Sequence, residues 1–307
     1  MSHVNPSRIL LWSWTLPTLS CLIAALVFSG AVSDMSVAVL LPAAVLLAGA
    51  VFASVHHAEI LALRIGEPFG AILLAVCVTI IEVAVIVSIM LSGAEGNEEV
   101  ARDTVFAAVI IVVNGVIGLC LVLGGRRHHE QSFHLDAAAA AFAVLGTLAT
   151  ISFVLPNYVQ SGGARQFSGS QLAVVGLVSL ALYGVFLFVQ TIRHRSYFID
   201  EPSQETNAGE TVAQEKVPSR LVTTSAVLLP LSLVAVVLLA KILSHPLDSA
   251  VDAACLPQAF VGVIVAAVVL LPEGIASVRS ALANRLQNSV NLVLGSALAS
   301  IGLTFLL

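Results

Sequence analysis

Nine apolar stretches, near residues 9–28, 36–55, 69–92, 104–124, 137–155, 170–190, 220–244, 256–278 and 288–307, make up most of this chain. Short polar loops join most of them. Each approaches the roughly 20 residues that cross a hydrocarbon core. Lipid offers a peptide group no hydrogen bond, so each crossing must close its own backbone bonds, as a helix does. The expected fold is therefore all-α, a polytopic helical membrane protein with nine helices in a single integral membrane domain over 1–307. Only 10% of the residues are charged and 58% are hydrophobic, against roughly 25% charged in a soluble domain. Mean hydropathy is +1.02.

Basic residues orient the crossings. With the N-terminus inside, Arg8, Arg64, Arg126, Arg127, Arg193, Arg195, Lys216, Arg220, Arg279 and Arg285 fall on the cytoplasmic side; Arg102, Arg165 and Lys241 fall outside. Ten against three is a positive-inside bias and predicts a cytoplasmic N-terminus. The first apolar run follows a single Arg and lacks a small-residue cleavage site, so it reads as a retained leader helix within 1–35. A formal net charge of -5 leaves no basic surface for nucleic acid. The loop 191–219, with Asp200, Glu201, Glu205, Glu210 and Glu215, reads as a solvated acidic linker on the cytoplasmic side. Cys21, Cys77, Cys120 and Cys255 lack metal-type spacing and are expected to be small buried hydrophobes. His56-His57, and His128-His129 with His134, are expected to be solvated loop histidines at the membrane boundary.

Two glutamates break the apolar pattern: Glu82 in 68–92 and Glu273 in 256–278. A carboxylate near the bilayer centre costs at least a few kcal/mol and persists where it faces a protein-lined or wet cavity. The loop charges run the third segment outward and the eighth inward. Both glutamates therefore sit near mid-depth on antiparallel helices, an arrangement expected of an inverted-repeat secondary transporter. Pro272 has no N–H and leaves a carbonyl about four residues back without its partner, a candidate helix break and cation ligand. Gly274 gives room for a close neighbour. Thr79 lies one turn before Glu82 on the same face. Asn114-Gly115 in the fourth segment, and Gly295-Ser296 with Ser300 in the ninth, offer further oxygens or close helix packing. An acid–base enzyme using the two carboxylates is the rival reading, but there is no His-Glu-x-x-His motif and no Gly-x-Ser-x-Gly elbow. A non-transporting or degenerate membrane protein is a second rival.

These residues also carry a resemblance. GEPFGAILLAVCVTIIE (66–82) resembles the first repeat of the cation/proton exchanger branch of the calcium:cation antiporter superfamily, in register from Gly66 and Gly70 to Glu82. LLPEGIASVRSALANRLQNSVNLVLGSALAS (270–300) is similar to the second repeat, placing Glu273, Asn284 and Gly295-Ser296 at the family spacing. With ARDTVFAAVIIVVNGVIGLCLVLGG (101–125), the likeness extends over essentially the whole chain and is strongest to bacterial calcium (sodium or potassium)/proton antiporters. It implies a first repeat over 36–190, a second over 220–307, a bacterial inner-membrane location and no organic cofactor. The partners it implies are the lipid bilayer, inorganic cations and protons. Ca2+, Na+, K+ and H+ would be the transported ions, with Glu82 and Glu273 binding cation when ionised and proton when neutral. The family's Gly-Asn before each glutamate is replaced by Val78-Thr79 and Val269-Leu270. Calcium usually collects six to eight oxygens, so this loss implies a broader cation range. The resemblance also implies eleven helices, so the second repeat is expected to be incomplete, lacking the last two.

Overall fold

The computed structural model describes residues 11–30, 37–66, 69–90, 100–159, 167–198 and 218–304. The acidic run from Asp200 to Glu215 and the N-terminal Arg8 lie outside them. Among the described residues every element is helical: α1 (Leu11–Phe28), α2 (Val37–Ile65), α3 (Phe69–Met90) and α4 (Val100–Ile110) come first. A π-helical stretch, Ile111–Val116, carries α4 into α5 (Ile117–His128) as one rod. Next come α6 (Leu135–Ala149), extended by turns to Tyr158, and α7 (Gly169–Phe188), extended by turns Val189–Arg193 and Arg195–Phe198. Last are α8 (Ser219–Ala253), α9 (Ala259–Leu282) and α10 (Leu286–Thr304). These form nine helical segments in the expected places, and seven described helices are long and apolar enough to cross a membrane.

Two helices outrun their apolar stretches. α2 continues through His56, His57 and Glu59 until Gly66, whose φ of +81° ends it. α8 runs past Ser244 and Pro246 to Ala253, so most of the short polar loop expected between the apolar stretches 220–244 and 256–278 is helix. Hydropathy marks where lipid ends, whereas a helix ends where its backbone bonds are capped. At about 1.5 Å per residue, α8 is about 52 Å long, well beyond a hydrocarbon core of about 30 Å.

The chain falls into two compact units. One comprises His3–Ala107 with Glu215–Pro272, the other chiefly Ala108–Gln214 with Glu273–Leu307. In the first, α1, α2, α3 and α8 pack together. Leu46 of α2 shares a cluster with Leu239 and Ile242, while Ile60 shares one with Leu221. Rising numbers on α2 meet falling numbers on α8, so the two helices are antiparallel. α3 contributes Ile81, Val85 and Ile89, and α9 contributes Val261, Val265 and Val269, to one core with residues of α2 and α8. Both sets follow the i, i+4, i+8 spacing of a single helix face.

This unit overturns the solvated reading of the first histidine pair. His56 and His57 lie inside α2 and are buried. His57 Nε2 donates to the Ser13 carbonyl at 3.0 Å, which leaves Nδ1 to accept from the Ser225 hydroxyl at 3.2 Å. One imidazole thereby ties α1 and α8 to α2. The Trp12 ring stands 5.2 Å from that of His56.

In the second unit α10 is the hub, packed on α5, α6, α7 and the π-helical stretch. A chain of side-chain amides holds its end. His134 N donates to Gln287 Oε1 at 2.6 Å, Gln287 Nε2 to Asn291 Oδ1 at 2.8 Å, and Asn291 Nδ2 to the Phe198 carbonyl at 2.6 Å. His128 is likewise engaged, donating from Nε2 to the Leu282 carbonyl at 2.8 Å. Gln131 Nε2 donates to the Ala281 carbonyl at 2.7 Å. The second histidine group therefore helps join the α5–α6 turn to the α9–α10 turn. Cys77 and Cys120 are buried as expected and Cys21 partly so, whereas Cys255 is exposed. It lies just past α8 with φ +54°, beyond the helices that cover the others.

Candidate functional site

Glu82 and Thr79 belong to the first unit. α3 shows Val76 and Ile80 to the outside, one turn apart, and turns Glu82 away from them with 2% of its surface exposed. Thr79, one turn before, is also buried. The start of α3 is fixed by glycine: a Cβ on Gly70 would collide with the Ala62 carbonyl, and Gly70 N bonds to Gly66 O at 2.7 Å. Glu82 then follows twelve residues after Gly70 along α3. Glu82 directly follows Ile81, a member of the core cluster.

Glu273 is the first residue of the second unit's C-terminal segment, Glu273–Leu307, and is 7% exposed. It continues the α9 face of Val261, Val265 and Val269, one turn on. The expected break at Pro272 does not end the helix, which runs unbroken from Ala259 to Leu282. Proline still supplies no N–H to the Val268 carbonyl, so what is lost is one bond within a packed helix. A Cβ on Gly274 would stand 3.6 Å from the Val116 side chain, ordinary van der Waals contact, so the close neighbour expected there does not require glycine.

Asn114 falls in the π-helical stretch, exposed, with Nδ2 3.4 Å from the Ile110 carbonyl of its own helix. Such bulges often accompany functional positions. Ser300 is buried, and Ser296 carries a buried Oγ that bonds to no described group. Gly115 and Gly295 do not mediate tight helix approach. A Cβ on Gly115 would meet only Ile111, at 4.0 Å, and one on Gly295 would meet nothing within 4 Å. They leave space beside the polar side chains instead.

Two residues escaped sequence reading. Asp248 is buried in α8 and accepts from Gln258 Nε2 at 3.0 Å. It was hidden by the expectation of a loop. Ser277 is fully buried one turn after Glu273, and its i+4 spacing from the carboxylate was the available signal. Among the described residues no group of three or more His, Cys, Asp or Glu could hold a metal. A cation at either glutamate must therefore draw on hydroxyl, amide, carbonyl or water oxygens too, which suits hard ions.

Comparison with known proteins places these features in a family. The family described as "Sodium/calcium exchanger protein" matches residues 35–192 and 224–305. The chain is 66% identical to the "Putative ionic transporter y4hA" of Sinorhizobium fredii, over 98% of this chain and 81% of that protein. It is 33% identical to the sodium-potassium/proton antiporter ChaA of Escherichia coli, over 94% of this chain and 77% of that one. The fold matches the structure of native YfkE with a TM-score of 0.67 at 16% identity, covering 94% of this chain and 78% of that chain. It matches the H+/Ca2+ exchanger CAX with a TM-score of 0.60 at 15% identity, covering 95% and 73%.

Proposed function

The chain belongs to the sodium/calcium exchanger protein family, and on that premise we propose that it exchanges cytoplasmic Ca2+, Na+ or K+ for external protons across a bacterial inner membrane. The observation that supports this reading is the burial of two carboxylates, Glu82 and Glu273, in apolar helices, each with a buried hydroxyl one turn away. Each glutamate binds cation as the anion and proton as the neutral acid. A neighbouring cation favours the charged form and desolvation favours the neutral one, so the two ions compete and exchange is coupled. Thr79, Asn114, Ser296 and Ser300 are the accessory oxygens in this assignment, and the Val268 carbonyl freed by Pro272 is another. Residues 36–190 and 220–307 are the two inverted repeats, and alternating access follows from their opposed topology.

Val78-Thr79 and Val269-Leu270 offer fewer oxygens than a calcium site usually gathers. Sodium and potassium are therefore substrates alongside calcium, a range supported by the name of the Escherichia coli relative, a sodium-potassium/proton antiporter. The test is cation-triggered proton movement in everted vesicles or proteoliposomes, with Ca2+, Na+ and K+ supplied separately. Glu82→Gln and Glu273→Gln should each abolish it while the protein stays in the membrane, because an amide keeps the shape but cannot alternate between charge states. Near-normal flux in either variant would overturn the assignment of that residue. Absence of flux in the unmodified protein would favour the degenerate reading.

A further inference from the structure

A hydroxyl inside a membrane helix ordinarily closes onto a carbonyl three or four residues back, since lipid gives it no other partner. Ser54 and Thr150 follow that rule, donating to the Ala50 and Gly146 carbonyls at 2.9 and 2.7 Å. Ser277 does not. It is 0% exposed, and its Oγ bonds to no described group. The carbonyl four residues back belongs to Glu273, whose side chain lies on the same face of α9. Residues at this spacing have Cβ atoms about 5–6 Å apart, so one ion can touch both side chains. Ser152 and Ser179 also keep buried, unbonded hydroxyls, but neither has a carboxylate one turn away.

An unbonded buried hydroxyl destabilises the helix that holds it, and alanine at the same position would not. A serine there makes sense when its partner comes and goes. We propose that Ser277 supplies an oxygen ligand to the inorganic cation bound at Glu273 and sets the affinity for it. This rests on the reading of Glu273 as a cation-binding group. No atom of the protein needs to move far, because the hydroxyl rotates about a single bond.

The experiment uses the full chain in proteoliposomes, with Na+, K+ and Ca2+ as separate probes and cation-driven proton flux as the readout. Ser277→Ala should raise the half-saturating concentration of the transported cation by about tenfold, the scale of one lost bond to a charged group, with the maximal rate largely kept. Its Tm in detergent should be unchanged or higher, which a structural serine would not allow. Ser277→Cys keeps the volume but exchanges a hard oxygen for a soft sulfur. It should lose affinity for Na+ and Ca2+ and be inhibited by Cd2+ at lower concentration than the unmodified protein. An unchanged half-saturation in Ser277→Ala, or a lowered Tm, would overturn the proposal. Full activity in Glu273→Gln would instead remove the premise, so the two failures are distinguishable.

Discussion

With Asn291, Gln287 links three segments through two side-chain amides. It is 1% exposed, accepting from His134 N and donating to Asn291, which in turn holds the Phe198 carbonyl. Replacing it by leucine preserves bulk but leaves the part-buried His134 N–H and Asn291 Oδ1 without these partners, at about 1 kcal/mol each. Gln287→Leu should therefore lower Tm in detergent by several degrees, and an unchanged Tm would mean that these groups find other partners. The polar run NRLQNSVN at 284–291 was visible in the sequence, but which backbone atoms it serves was not. Those partners lie 93 and 153 residues away in the chain. Glu82 and Glu273 were legible because a charge in an apolar run stands out by itself. Ser277 was not, because a serine in a membrane helix is unremarkable until its lack of a partner is known.

Among the elements, α9 shows how much a single position decides. A Cβ on Gly262 would stand 2.8 Å from Thr104 N and 2.9 Å from the Asp103 carbonyl carbon, both backbone atoms. Since backbone cannot step aside as a side chain can, Gly262→Ala should cost about 1–3 kcal/mol. Gly146 in α6 is the control, with nothing within 4 Å of its would-be Cβ. Gly146→Ala should be neutral or stabilising by up to about 1 kcal/mol, from helix propensity. Thermal unfolding of the two variants side by side checks the pair, and equal effects would refute the assigned close approach. Both glycines look alike in a hydropathy plot. α2 and α8 make the same point about length: their apolar cores were read correctly, but their ends depend on where the backbone bonds run out.

For the whole molecule the question is which way it faces. Arginine and lysine placement predicts that the α8–α9 connection faces outward, and Cys255 is exposed at that connection while Cys77 and Cys120 are buried. A membrane-impermeant maleimide should therefore label intact cells, and Cys255→Ser should remove that label. Labelling of Cys255 only in everted vesicles would invert the orientation and, with it, the direction assigned to exchange.

The number and order of the apolar helices, and the places of the two glutamates along them, follow from the sequence alone. Each rests on a local quantity: the free energy of moving a short segment into lipid, and the demand that its peptide groups pair within it. The burial of His57, the exposure of Cys255, the continuation of α8 to Asp248 and the stranded hydroxyl of Ser277 were decided only by the tertiary structure. Each depends on what covers one face of a helix, and that cover comes from residues distant in the chain. Lipid and protein interior are both apolar, so hydropathy separates membrane from water but cannot tell a face against lipid from a face against another helix.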